Sequence, residues 1–169
     1  MVARWELLLV DADVLIDYAD ADVSVLGLAA RLVGSVYVVR SVLDEVTQLP
    51  ESECDRLGVQ IVEPTLDQLL EAGAARGRLS FNDRLSLIVA RDAEWTCVSN
   101  DRALRKACAE SKVPVWWGLQ LMLALVRVGQ LESDTALAVA WAIHRKNPRH
   151  ITIEILNRFA RELELAGSE

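Results

Sequence analysis

The sequence predicts an α/β fold built on a central, mostly parallel sheet, and three observations predict it. Short β-like runs alternate with helix-like runs along most of the chain, the pattern of strands joined by crossover helices. The first such run, Glu6-Leu-Leu-Leu-Val10, is apolar enough to be a buried strand. A chain of 169 residues, 52% hydrophobic and 25% charged, has the balance of one well-packed globular domain.

The elements follow in order. After the strand Glu6–Val10, helices are expected over Asp13–Ala19 and Val25–Val33. Ser35–Val39 is the next strand, rich in β-branched residues. A short helix over Ser41–Gln48 is closed by Pro50, a third strand covers Val59–Val62, and a helix covers Leu66–Ala75. Ser80–Ala93 is a strongly apolar helix with Leu85, Ile88 and Val89 on one side. Trp95–Val98 reads as a strand, Asp101–Glu110 as a helix and Val113–Val115 as a last short strand. Beyond Gly118 the pattern is helical: Leu119–Val128, Ser133–Arg145 and Ile151–Leu165. The organisation is one domain, residues 1–130, with a helical C-terminal extension, residues 131–169, packed on it.

Composition excludes several classes. The longest apolar run, Trp116–Val126, is too short to span a bilayer and is interrupted by Gln120. Glu6 and Asp11 bracket the apolar stretch Leu7–Val10, which rules against a signal peptide. Cys54, Cys97 and Cys108 show no CxxC spacing and have only His144 and His150 beside them, so zinc is not expected and the thiols suit a reducing, cytoplasmic setting. The net charge of −7, from 25 acids against 18 Lys and Arg, runs against nucleic-acid binding unless acids are gathered around divalent ions.

The acids fall in a suggestive way. Ligands of open α/β sheets bind beyond the C-terminal ends of the strands. Asp11 and Asp13 stand where the first strand stops, Glu45 in the first turns of the helix after the second, Asp101 just after the Trp95–Val98 strand, and Asp83 at the start of the helix feeding it. Each has a structural alternative. Ser80–Asp83 and Ser41–Asp44 resemble capping boxes, Asp101 suits a helix's first turn, and Asp13 could cap the helix beginning at Val14. Caps have no need to meet in space, whereas phosphodiester chemistry requires it, and the set favours a site.

These motifs carry a resemblance. Leu7-Leu-Leu-Val-Asp11-Ala-Asp13-Val-Leu-Ile-Asp-Tyr18 resembles the opening strand and first acid of PIN-domain nucleases. Ser41-Val-Leu-Asp-Glu45-Val resembles the family's second acidic motif, Leu79-Ser-Phe-Asn-Asp83-Arg-Leu-Ser-Leu-Ile-Val-Ala90 its third and Val98-Ser-Asn-Asp101-Arg-Ala-Leu-Arg its fourth. Order and spacing agree over Leu7–Gly129, and the toxin-like ribonucleases of bacterial and archaeal toxin–antitoxin pairs are the most similar members. Two departures are Ala12, where the family often has Thr or Ser, and Asp13, where Ser, Thr or Asn is common. The resemblance implies a PIN-like three-layer α/β/α fold, an endoribonuclease activity on RNA, an antitoxin partner and a homodimer.

The expected chemistry is metal-dependent hydrolysis. Carboxylates suit Mg²⁺ or Mn²⁺, and two such ions about 4 Å apart can activate water and steady the leaving oxygen. Asp11 and Asp101 are the principal expected ligands, completed by Glu45 and Asp83, with Asp13, Ser99 and Asn100 orienting them. Arg84 and Arg102, together with Arg76 and Arg78, are candidate phosphate contacts. The basic stretch His144–His150 reads as a solvated loop in preference to a nucleic-acid patch, and Trp116-Trp117 as packing in preference to base stacking. Two rival readings remain. Asp11-Ala-Asp13-Val14 also fits the opening of a haloacid-dehalogenase-like phosphatase, whose lysine would have to be Lys106, Lys112 or Lys146. A catalytically inactive PIN-like binding module is the other.

Overall fold

A computed structural model describes residues 4–168. Five strands, β1 (Glu6–Val10), β2 (Gly34–Val39), β3 (Val59–Val62), β4 (Thr96–Val98) and β5 (Val115–Trp116), form one sheet in the order β3-β2-β1-β4-β5. Every pairing is parallel, so the sheet is wholly rather than mostly parallel. β1 lies at the centre, with Leu8 opposite both Val36 and Thr96, and its Leu8, Leu9 and Val10 are buried. That position accounts for its unbroken apolar run, because a central strand of a parallel sheet is covered on both faces. At its start a side chain on Gly34 would meet the Glu6 carbonyl at 2.2 Å, so only glycine lets β1 and β2 approach there.

Helices cover both faces of the sheet, giving three α/β/α layers. One group contains α2 (Ser24–Leu32), α4 (Glu51–Leu57) and α8 (Gln120–Arg127), with α2 resting on β2. The other contains α5 (Leu66–Ala74), α6 (Phe81–Ala93) and α7 (Arg102–Glu110), with α6 resting on β4. The C-terminal helices α9 (Ser133–Lys146) and α10 (Ile153–Ala166) pack on each other, on α8 and, through α9, on α1 (Ala12–Ala21). Ala140, Ile143, Leu156 and Phe159 belong to the same core as Leu8 and Leu15, so the extension shares the domain's interior.

Three local expectations are corrected. The helix expected over Ser41–Gln48 is only the single turn α3 (Arg40–Leu43), and turns follow it, so Glu45 stands past a helix end. Pro50, read as a terminator, is the N-cap of α4, with Glu51 and Glu53 in a first turn that favours negative charge. The last strand is shifted to Val115–Trp116. Among the described residues no helix is long and apolar enough to cross a membrane.

Candidate functional site

The order β3-β2-β1-β4-β5 sends the chain to opposite sides of β1, first to β2 and β3 and later to β4 and β5. Connections diverge at such a point and leave a crevice beyond the carboxyl ends of the two strands. Asp11 is the residue after β1, and Ser99, Asn100 and Asp101 are the residues after β4. The first and fourth acidic motifs therefore meet because of the strand order.

Asp11 is 5% exposed. One carboxylate oxygen accepts the Val14 N–H at 3.0 Å, which makes Asp11, and not Asp13, the N-cap of α1. The other accepts the Ser99 hydroxyl. Ser99 Oγ also accepts the Asp101 N–H at 3.0 Å, so one buried hydroxyl ties the ends of β1 and β4 together. Burial pushes the Asp11 carboxyl up to about 7, and the charges of Asp13 and Asp83 push the same way, while the Ser99 and Val14 donors oppose them. Asp13 is half-buried and is also raised, first by burial and then by Asp83 and Asp101, with His150 opposing. Asp11, Asp13, Asp83 and Asp101 thus share one electrostatic neighbourhood, in which desolvation outweighs mutual repulsion at both shifted carboxyls.

Asp101 caps α7, accepting the Leu104 N–H at 2.8 Å through one oxygen. Asp83 closes a capping box on α6: its N–H donates to Ser80 Oγ at 3.1 Å and its carboxylate accepts the Ser80 N–H at 3.3 Å. Both structural alternatives weighed for these acids are therefore present, and each leaves one carboxylate oxygen without a hydrogen-bond donor among the described residues. Glu45 is exposed and accepts the Asn82 amide at 2.5 Å, which ties it to the residue beside Asp83 but not to the other acids. Asn82 is in turn braced by the Ser41 hydroxyl at 2.7 Å. The sequence reading passed over Asn82, although its place beside Asp83 was the available signal.

Other expectations need correction. Asn100 does not orient the acids; its amide donates to Asp17 at 3.3 Å and its oxygen accepts the Gly118 N–H at 2.8 Å. A Cβ at Gly118 would come within 2.9 Å of the Asn100 amide and 3.1 Å of Val14, so a side chain there would have to displace Asn100. Arg84 is not free to meet a phosphate, because it donates to the Ala72 carbonyl at 2.8 Å and the Leu79 carbonyl at 2.5 Å. Trp116 packs at the core's edge, whereas Trp117 lies beneath the Arg105 guanidinium, 3.6 Å from ring centre to Cζ. Asp17 was missed altogether. It is 7% exposed, holds Asn100 and Asn147 (the latter at 3.1 Å), and is raised to about 6, chiefly by burial.

Beside Asp101 opens a cavity of about 510 Å³ that also contains Arg102, Arg105, Trp117, Arg149 and His150. The loop read as merely solvated therefore reaches the site. It is pinned there: His144 Nδ1 donates to the Ile151 carbonyl at 2.6 Å, which fixes its tautomer, and the Ile151 N–H donates to Asn147 at 3.0 Å. Lys106, Lys112 and Lys146 are all exposed, and Lys106 pairs with Glu110 at 3.8 Å. Both Asp11 oxygens accept hydrogen bonds, so each has one lone pair engaged.

The donor set can be tested against a metal. Among the described residues no three His, Cys, Asp or Glu side chains form a ready-made metal cage. Mg²⁺ seldom uses one; it keeps several waters and takes one or two carboxylates together with substrate phosphates. Asp83 and Asp101 each keep one carboxylate oxygen without a donor, which is the ligand chemistry that Mg²⁺ takes, although among the described residues they form no compact cluster with Asp11. No family model, curated protein or solved structure matches the chain.

Proposed function

We propose that the protein is a divalent-metal-dependent nuclease of PIN type that hydrolyses RNA phosphodiester bonds at the crevice between β1 and β4. The observation carrying this reading is the meeting of Asp11 and Asp101 through the Ser99 hydroxyl at the topological switch point, with Asp13 and Asp83 near enough to raise their neighbours. Helix capping accounts for where Asp11, Asp83 and Asp101 sit singly. It does not account for four like charges converging against their own repulsion. Asp11 and Asp101 would hold Mg²⁺ or Mn²⁺, with Asp83 and Glu45 completing the set directly or through water. Such an ion, when bound, supplies water activation and charge compensation at the leaving oxygen. Ser99 keeps the Asp11 carboxylate facing the Asp101 backbone, and Asn82 holds Glu45. A homodimer and an antitoxin partner belong to the same proposal. Supporting association, Leu66 and Leu70 of α5 are 69% and 62% exposed, near the 40% exposed Phe81.

The test is cleavage of single-stranded RNA by the purified chain with Mn²⁺ or Mg²⁺. Activity should stop with EDTA and fall at least a hundredfold, about 2.7 kcal/mol of barrier, in Asp83→Asn and in Asp101→Asn with the fold retained. Cleavage that survives both substitutions excludes this site; a folded wild type that binds RNA without cutting it is a binding module.

A further inference from the structure

We propose that the cavity beside Asp101 is a subsite for one nucleotide of a single-stranded nucleic acid, with the phosphate on Arg102 and Arg149 and the base on the Arg105–Trp117 stack. This deepens the nuclease reading and rests on it for the direction of the strand toward the acids. The cavity, at about 510 Å³, is within the size of small-ligand sites, about 300–1,000 Å³.

Its charge is the first argument. The chain's net charge is −7, and three of its arginines line this one cavity. Arg102 and Arg105 come from one turn of α7 and Arg149 from the loop after α9; among the described residues none of the three forms an ion pair, and one acid, Asp101, shares the lining. Cations left unneutralised together in an acidic protein select an anionic occupant.

Shape is the second. The Arg105 guanidinium is fixed in place, donating to the Ser99 carbonyl at 3.0 Å and lying 3.6 Å from the Trp117 ring centre. A guanidinium stacked on one side can take a nucleobase on the other, which is how unpaired bases are held on Arg and aromatic planes. Inserting a base this way requires it to be unpaired, so a strand enters and an intact duplex does not. His150 and Asp101 line the same cavity, and Asp101 is the residue that caps α7 at the crevice.

The experiment is fluorescence anisotropy of a short fluorescein-labelled oligouridylate with the full chain in EDTA, where no cleavage occurs. Arg102→Ala and Arg149→Ala, both at exposed positions, should keep the melting temperature. Each should weaken binding about tenfold and flatten the slope of log K against log salt by about 0.7. Trp117→Ala should also lose about tenfold, as stacking does, and Trp117→Phe should restore most of it, which separates a stacking role from a folding defect. Unlabelled uridine monophosphate should compete better than inorganic phosphate. The proposal is overturned if the wild type does not bind, if the Arg102→Ala/Arg149→Ala double variant binds as the wild type does, if a matched duplex binds equally well, or if inorganic phosphate competes as well as the nucleotide. Binding without cleavage would leave the subsite standing and remove the nuclease. Cleavage unaffected by the arginine variants would do the reverse.

Discussion

Asp101 carries two jobs in one carboxylate. One oxygen closes the first turn of α7 on the Leu104 N–H, and the other is open toward the crevice. Substitution can separate them. Asn is as good an N-cap as Asp, so Asp101→Asn should retain wild-type stability or exceed it while removing the charge. Asp101→Ala removes the cap as well and should cost about 0.5–2 kcal/mol. Urea melts of both variants in EDTA are the check; equal destabilisation of the two would mean that the charge itself stabilises the metal-free fold. A second residue-scale expectation concerns Asp17, whose carboxyl is raised to about 6 in the fold from an ordinary 3.8. A raised acid binds its proton more tightly when folded, so its contribution to stability is full below about pH 4 and is lost as pH rises through about 6. Asp17→Asn removes the charge but keeps one acceptor oxygen, which would have to take both amide donors, as Oδ2 does now. Its stability should therefore change less than that of wild type between about pH 4 and pH 7, because the titrating carboxyl is gone. A variant whose stability follows pH as the wild type's does would show that Asp17 does not titrate there.

At the scale of elements, the sheet was legible because each strand's pattern was local: β1 and β3 fall where the sequence placed them, and β2 and β4 differ by one residue at the start. The helix starts at Asp83 and Asp101 were legible too, since Ser80 and Asp101 carry cap chemistry in their own side chains. What was not legible depends on contacts far apart in the chain. The segment after Leu43 leaves the helix, and Glu45 there meets Asn82, 37 residues on. Pro50 was ambiguous by nature, since proline both ends helices and precedes them. The loop after α9 looked like a solvated basic stretch because nothing in its composition says that Asn147 reaches Asp17. Of the candidate site, the sequence supplied the acids and Ser99. Asn82, Asp17 and the Arg105–Trp117 stack needed the fold, because their neighbours come from other elements.

For the whole molecule, the crevice sets a stability balance against the cation it is proposed to hold. The metal-free fold keeps buried Asp11 among like charges, with its carboxyl near neutrality at about 7. An ion that binds only the folded state adds about 2.7 kcal/mol at a hundredfold excess over its dissociation constant. Mn²⁺ should accordingly raise the melting temperature of the wild type by several degrees over EDTA, and Asp101→Asn should reduce that rise; an equal rise in both would remove Asp101 from the ligand set. The same architecture has a consequence for how the protein is made. Asp11 meets Ser99 across 88 residues and Asp17 meets Asn147 across 130, while the loop that closes the cavity is pinned at Ile151. A ribosome adds residues in order, about 5–20 per second, so Asp11 and Glu45 are exposed for seconds before their partners exist. During that interval the acids lie on a chain with neither the hydroxyl that joins β1 to β4 nor the arginines that would seat a strand. On the proposed nuclease reading, the crevice would stay incomplete on the ribosome until Ser99 and Asp101 had emerged and docked against Asp11.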